Sequence, residues 1–496
     1  MFPILNENLL LFQIGIIAIA VFLRCAIGFK YKIGQDTWVY LLIADIIRKK
    51  RGLPDQIDNF IYIGSFGYPP LFTSLLSVIP EKVLERFVWI ISPVIEAVHI
   101  VLIYFICIFI TQSPEVGVLA MFLYAIHPEM VIETSNLNTR PLGSLIFTAS
   151  LASLIFFIIT GNPLLFFSCI VFGVLLLYTH KLATQALFFI LFGFALIERN
   201  SVYAIAAVLI FGIAYLTPWY RKKVLPEHVA ILQFWRKNIK LVYERGITGE
   251  VNGKNKSSLI NFLRSKEVLF LRFVGSNMWF IFIIILIFVF NSPPSFPEVL
   301  FFEWACIIVI SSLIIGYIQS VKFLGEGLRY MEYSLVPTII LAAIYFNKFY
   351  DNPYVSLLFF GIIGILLFEM FIGLYYSVTK YLRLSPGKGI TKICSYLRSA
   401  PGENILCLPI DTSFMIAYFT RKKVLYAFSA HAYEKFSEIF FGTPRQKPLW
   451  KLIEMYSIDY IFVDSVFFLP EELDLGPVEK IIEEDGYFLL QVKRNT

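Results

Sequence analysis

Long apolar runs separated by short polar turns fill the first 380 residues. About 20 apolar residues cross a bilayer as a helix. Eleven segments have that character, near 4–27, 86–110, 114–126, 141–160, 162–178, 182–197, 201–218, 274–291, 299–320, 332–347 and 353–378. No fixed period recurs, which excludes a repeat array. From Lys380 the texture changes, and helical stretches alternate with short β-rich runs. Asn404–Pro409, Lys423–Ser429 and Ile458–Asp464 read as strands, with Phe488–Val492 as a further one. Continuous apolar strands separated by helices predict a small α/β sheet covered on both faces. The pattern therefore predicts a polytopic α-helical membrane protein of about 11 transmembrane helices over residues 1–379. A C-terminal soluble α/β domain follows over residues 380–496.

Composition supports the membrane reading. Hydrophobic residues make up 58% of the chain and charged residues 16%, where a soluble globular chain carries about 25% charged. Such a chain cannot hide its apolar surface from water, and it is neither disordered nor a disulfide-stapled module. The stretch 9–23 lacks a preceding basic region and a small-residue cleavage site, so it is expected to stay as the first helix. Of six cysteines, four lie in apolar runs as small hydrophobes. Cys394 and Cys407 lie in the tail, where they could pair.

With eleven spans, parity puts segments 28–85, 127–140, 179–181, 219–273, 321–331 and the tail on one face. The opposite face keeps only short turns. Of 42 Lys and Arg, only Arg199 and Lys348 fall on the short-turn face, so the polar machinery is one-sided.

Four segments of that face carry candidate chemistry. In Gly34–Tyr40 (GQDTWVY), Asp36 sits just beyond the first span, where a carboxylate is tolerated. It suits either an N-cap for a helix over 37–51 or a base at the interface. In the second segment, His127 and Glu129 could ligate a divalent cation, though ordinary loop residues read the same way, and Arg140 opens a helix before Pro141. The third holds His180-Lys181 in a turn too short to leave the membrane surface, where cations call for an anionic partner such as a headgroup. The fourth, Gly325–Pro337, presents Arg329-Tyr330 between glycines and a membrane helix. There an Arg can fork onto phosphate oxygens or simply pair with Glu326. Cations beside a carboxylate on one membrane face suit a reaction on a lipid-linked phosphate. P-loop, HExxH, GxSxG and GxGxxG motifs are absent.

The pieces GQDTWVYLLIADIIRKKRGLP, GYPPLF, NTRPLG, THKLATQ and GLRYMEYSLVP, in this order, resemble the GT-C superfamily of membrane glycosyltransferases, from the first helix to about Pro337. The tail resembles the soluble domains appended to many members. The resemblance implies a polyprenyl-phosphate-linked (for instance dolichyl-phosphate-linked) sugar donor and a catalytic carboxylate at the start of the first extracytoplasmic loop. By position that carboxylate is Asp36. Arg329 and Tyr330 resemble the family's donor-phosphate motif, with His180, Lys181 and Arg140 near the same cavity. The WWDYG motif of oligosaccharyltransferases is missing, which favours monosaccharide transfer. A double-Asp metal motif is missing too, so the resemblance carries over no metal, and His127 and Glu129 stay the candidates for a divalent cation.

The resemblance thus implies an inverting hexosyl- or pentosyltransferase of the cell envelope, acting on a glycan, lipid or protein acceptor among membrane lipids. No nucleic acid partner is expected. A lipid-linked-saccharide transporter or flippase, or a non-catalytic subunit of a glycan-assembly complex, is the alternative. The resemblance puts the polar face outside the cytoplasm, whereas the Lys/Arg distribution by itself puts it inside.

Overall fold

A computed structural model of the chain describes residues 3–28, 35–62, 66–238, 272–382, 387–425 and 448–493. The molecule divides into two compact units. The first comprises Met1–Tyr31, Arg86–Tyr220 and Ser258–Arg383, and the second comprises Lys32–Glu85, Arg221–Ser257 and Leu384–Thr496. The later part of the basic segment 219–273 and the end of the expected strand Lys423–Ser429 lie outside the described residues.

Each of the eleven apolar segments contains a helix. They are Pro3–Gly28, Glu81–Thr111, Pro114–Ala125, Arg140–Thr160, Pro163–Leu177, Lys181–Ile197, Ser201–Leu216, Met278–Phe290, Glu298–Tyr317, Glu332–Phe349 and Pro353–Leu382. Among the described residues five helices are long and apolar enough to cross a membrane, or six if the broken pair Ser201–Leu216 and Tyr220–Lys237 is one span. Four more are apolar but shorter. Local chemistry sets the turns. Gly161 ends Arg140–Thr160 in the left-handed region (φ 71°), and its N–H returns to the Phe157 carbonyl at 2.7 Å. Asn162 then caps the next helix by accepting from the Leu164 N–H at 3.1 Å, with Pro163 as the first helical residue. Two apolar helices thus reverse direction in two residues. Buried polar pairs also bind helices together in the first unit. Asn277 Nδ2 donates to Ser334 Oγ at 2.7 Å, and Trp304 Nε1 donates to the Tyr333 carbonyl at 2.9 Å.

The second unit is built on a five-stranded sheet of order β2-β1-β3-β5-β4. Its strands are β1 (Asn404–Leu408), β2 (Lys423–Val424), β3 (Tyr460–Asp464), β4 (Val478–Glu484) and β5 (Tyr487–Val492). β2, β1 and β3 run parallel, and β5 and β4 complete the sheet as an antiparallel hairpin. β3 is buried throughout and β1 nearly so, as their unbroken apolar runs predict. Helix Lys388–Ser399 packs with Ile390, Ile393, Cys394 and Leu397 buried. Strand β4 escapes the pattern reading because Glu479, Lys480 and Glu483 interrupt it. It is an edge strand, where charge discourages pairing with other chains. Cys394 and Cys407 are both buried and both free thiols, so the pairing open to them does not form.

The first polar segment belongs to this same unit and supplies helices Gln35–Lys50 and Leu71–Val78. The first of these begins at Gln35, so Asp36 lies inside the first helical turn and not at the cap. Its charge there faces the positive end of the helix dipole.

Candidate functional site

Within the first unit, three of the four polar segments converge. Arg140, the first residue of its helix, has its backbone N–H fixed by Asn138 Oδ1 at 2.8 Å. Its guanidinium pairs with Glu133 and lies 3.9 Å from Glu332 Oε2, whose side chain is 2% exposed. His180 caps helix Lys181–Ile197, its Nδ1 accepting from the Ala183 N–H at 3.3 Å. The same nitrogen lies 3.1 Å from the Tyr333 hydroxyl. Gly143, one turn into the Arg140 helix, leaves room for this ring, since a Cβ there would come within 2.8 Å of His180 Cβ. Lys181 is the first residue of the helix that His180 caps.

The segment 325–333 closes the group. Arg329 is half exposed and pairs with Glu326 at 2.8 Å. Its neighbour Tyr330 is fully buried. The Tyr330 hydroxyl donates to the Leu324 carbonyl at 2.9 Å and meets the Gln185 side chain, while its ring lies 5.6 Å from that of Phe189. Tyr330 therefore holds the turn that presents Arg329 in place. Gly327 allows this turn to press on helix Glu298–Tyr317. A Cβ at 327 would lie 2.4 Å from the Ser312 carbonyl oxygen and 2.7 Å from the Gly316 nitrogen.

Charges in this cluster are not those that residue names suggest. Burial, together with the Arg140 and Arg329 charges, pulls the His180 imidazole down to about 3. Both causes disfavour the charged imidazolium. Burial and the Arg24 charge likewise pull His127 down to about 3. Burial and the carboxylates of Glu332 and Glu133 push Glu129 up to about 8, against the pull of Arg140 and Arg272. Arg140, Arg329 and Lys181 remain as the cationic groups of the predicted set.

His127 and Glu129 line a cavity of about 480 Å³ together with Glu133, Arg272, Leu328 and Glu369. His127 is 1% exposed, and neither ring nitrogen has a hydrogen-bond partner. Among the described residues, no group of three or more His, Cys, Asp or Glu side chains is arranged to hold a metal ion.

Beneath this loop lies a network that the apolar pattern hid. Arg24, fully buried in the first helix, donates through Nε to Thr134 Oγ1 at 3.0 Å and through Nη1 to the Ala125 carbonyl at 3.0 Å. It thereby ties both ends of the segment 126–134. His99 Nε2 meets Thr148 Oγ1, and its Nδ1 meets the Tyr124 hydroxyl, each at 2.9 Å. Glu96 is also fully buried, with an oxygen 3.9 Å from His99 Nδ1. The available signal was an ionisable residue inside an apolar run, which marks a functional or packing task by default.

Asp36 belongs to the other unit. It is exposed in the first turn of its helix. The next turn carries Tyr40, whose hydroxyl lies 2.9 Å from that of Tyr68.

No family model and no curated protein matches the sequence. Solved structures do match. AglB, the oligosaccharyltransferase of Archaeoglobus fulgidus in complex with an inhibitory peptide and a dolichol-phosphate, is similar with a TM-score of 0.57 and 12% identity, over 92% of this chain and 69% of that one. ArnT from Cupriavidus metallidurans, bound to undecaprenyl phosphate, is similar with a TM-score of 0.56 and 11% identity, over 97% of this chain and 98% of that one. The arabinofuranosyltransferase AftD from Mycobacteria gives a TM-score of 0.50 and 11% identity, over 97% of this chain and 40% of that one. The chain shares the fold of these solved structures: a bundle of apolar helices, five or six of them long enough to cross a membrane among the described residues, with a small C-terminal α/β domain.

Proposed function

We propose that the protein is an inverting membrane glycosyltransferase that moves a monosaccharide from a polyprenyl-phosphate-linked donor to a hydroxyl of a glycan, lipid or protein. The observation that carries this reading is the convergence of the Arg140, His180 and Arg329 segments at helix mouths within one unit, in a fold shared with known glycosyltransferases. Guanidinium groups so held suit the phosphate of a lipid carrier, because a forked donor matches phosphate oxygens. AglB and ArnT are each known with a polyprenyl phosphate bound, which supports the same donor class here. In this reading Asp36 accepts the proton of the acceptor hydroxyl as its oxygen attacks the anomeric carbon. The bond from that carbon to the phosphate oxygen breaks, and the polyprenyl phosphate leaves with its charge met by Arg329, Arg140 and Lys181. The polar face and the C-terminal domain lie outside the cytoplasm, and the basic residues that oppose this orientation serve the lipid phosphates.

The test is sugar transfer from a radiolabelled polyprenyl-phosphate monosaccharide in proteoliposomes, comparing the wild type with Asp36→Asn. General-base removal typically costs about 10²–10⁴ in rate. The exchange also weakens a first-turn interaction with the helix dipole by about 0.3–1 kcal/mol, too little to unfold the protein. Transfer lost with the melting temperature nearly kept supports the reading. Full activity of Asp36→Asn removes this carboxylate from the chemistry, and lipid binding without transfer by the wild type favours a transporter.

A further inference from the structure

The second unit joins the segment that carries Asp36 to the C-terminal domain, and one residue of that domain, Arg421, meets the segment at three points. Arg421 ends helix Ser413–Thr420 in the left-handed region (φ 61°), with its N–H on the Ala417 carbonyl at 3.0 Å. This conformation turns its side chain back across its own helix, with the guanidinium 4.9 Å from the centre of the Tyr418 ring. Its two terminal nitrogens then reach two different elements. Nη1 lies 2.9 Å from Asp45 Oδ2, and Nη2 lies 3.0 Å from Glu81 Oε1. Asp45 is on helix Gln35–Lys50, the same helix as Asp36, and its side chain is only 4% exposed. The carbonyl of Arg421 accepts from Asn59 Nδ2 at 3.1 Å.

Packing follows the same line. Trp38, two residues from Asp36, is buried against Tyr418 and Phe419, with ring centres 5.5 and 4.8 Å apart. Tyr418 donates its hydroxyl proton to Glu85 Oε1 at 2.5 Å. The polar segment also extends the sheet beside Val424. The Val424 N–H donates to the Asn59 carbonyl at 2.8 Å, and the Ile61 N–H donates to the Val424 carbonyl at 2.9 Å. These two hydrogen bonds form a single parallel bridge between Phe60 and Val424.

We infer that Arg421 is a positioning residue that fixes the Asp36 helix on the C-terminal domain. The inference rests on the reading of Asp36 as the acceptor's base. A lysine satisfies one carboxylate at a time, whereas the planar guanidinium spans both. Losing it leaves Asp45 with Lys49 at 2.8 Å and Arg48 at 3.5 Å. The buried carboxylate therefore stays paired, and what is lost is its tie to the domain. The donor-phosphate cations sit on the other unit, so donor affinity is untouched by this change.

The experiment measures kcat, donor KM and donor-lipid affinity for Arg421→Gln and Arg421→Lys in the full-length protein. A small misplacement of a reacting group costs up to about 10²-fold, so Arg421→Gln should lower kcat by at least about tenfold with donor KM and affinity unchanged. Arg421→Lys, which holds one carboxylate at a time, should recover only part of that loss. Unchanged kcat in a folded Arg421→Gln protein overturns the inference, as does a donor affinity that falls in step with kcat. If Arg421→Gln does not fold, Glu81→Gln removes one arm and leaves Asp45 paired. It must lower kcat at constant donor KM, and full activity there overturns the inference as well. Asp36→Asn, run alongside, separates the two claims. An active Asp36→Asn defeats the base reading itself, whereas an inactive one beside a fully active Arg421→Gln defeats only the positioning role.

Discussion

Replacing Gly327 with alanine adds one methyl group where the turn carrying Arg329 touches helix Glu298–Tyr317. The new carbon would sit 2.4 Å from the Ser312 oxygen, 2.7 Å from the Gly316 nitrogen and 3.0 Å from the Gly316 Cα. All three are backbone atoms of a membrane helix, so no rotamer change relieves the clash. Overpacking of this kind costs about 1–3 kcal/mol. Alanine's better helix propensity returns at most about 1 kcal/mol, and less in a four-residue turn. The turn therefore lifts away, the protein loses stability, or both. If the turn lifts, Arg329 and the buried Tyr330 move with it, and each 1.4 kcal/mol lost from donor binding is a tenfold rise in Kd. The assay pairs melting temperature in detergent with titration of a polyprenyl phosphate. Gly364→Ala is the matched control, because a Cβ there meets nothing within 4 Å, and it should be neutral or slightly stabilising. Wild-type stability and wild-type lipid affinity in Gly327→Ala would refute the close approach and the role of the turn.

Arg329→Lys keeps the charge and loses the fork, so donor-lipid affinity should fall, and Arg329→Ala should nearly abolish it. Equal affinity in both variants would leave Arg329 as the partner of Glu326 alone. Glu129 is pushed up to about 8 in the folded protein from an ordinary 4.5, so the unfolded chain gives up this proton first as pH rises. That costs the folded state stability from about pH 4.5 to 8. Glu129→Gln should therefore raise the melting temperature at pH 8 and leave it unchanged at pH 4.5, and equal effects at both pH values would contradict the burial. Single cysteines at Glu326 and Arg199 should react with an impermeant thiol reagent from opposite sides of the membrane. Gly325 packs near Leu182 at one end of helix Lys181–Ile197, and Arg199 follows its other end. Labelling from the same side would remove that helix from the set of spans.

The helical part of the fold was legible because apolar length alone specifies a membrane helix. A window of roughly 20 such residues needs no long-range information. The strands β1 and β3 were legible for the same reason, being buried on both faces. Strand β4 was not, since an edge strand with alternating charge resembles a solvated loop until its partner β5 is known. Arg140, His180 and Arg329 stood out in the sequence as polar residues at expected helix mouths, and the structure brings them together within the first unit. Their charge states were not legible. Burial and two nearby guanidinium groups from other segments pull the His180 imidazole down. The packing of Tyr330 was hidden for a related reason, because its partners Gln185 and Phe189 lie some 140 residues away in sequence. Arg24, Glu96 and His99 were passed over inside runs read only for their hydrophobicity. Nothing local in residues 32–85 told that they would share a unit with the tail.

That shared unit sets an order of assembly. Phe60 reaches its bridge with Val424, and Asp45 its pair with Arg421, only after more than 360 intervening residues have been made. A growing chain would insert its membrane helices while the polar loop after the first one still lacks the strand and the guanidinium that complete it. Contacts of such separation form late, because loop closure must be met before they return any stability. Until the last hundred residues emerge, the exposed Asp36 turn has no C-terminal domain to rest on. The architecture thus couples maturation of the candidate catalytic loop to completion of synthesis, and a chain broken off before β1 would keep its membrane helices while the Asp36 loop lacked its partners.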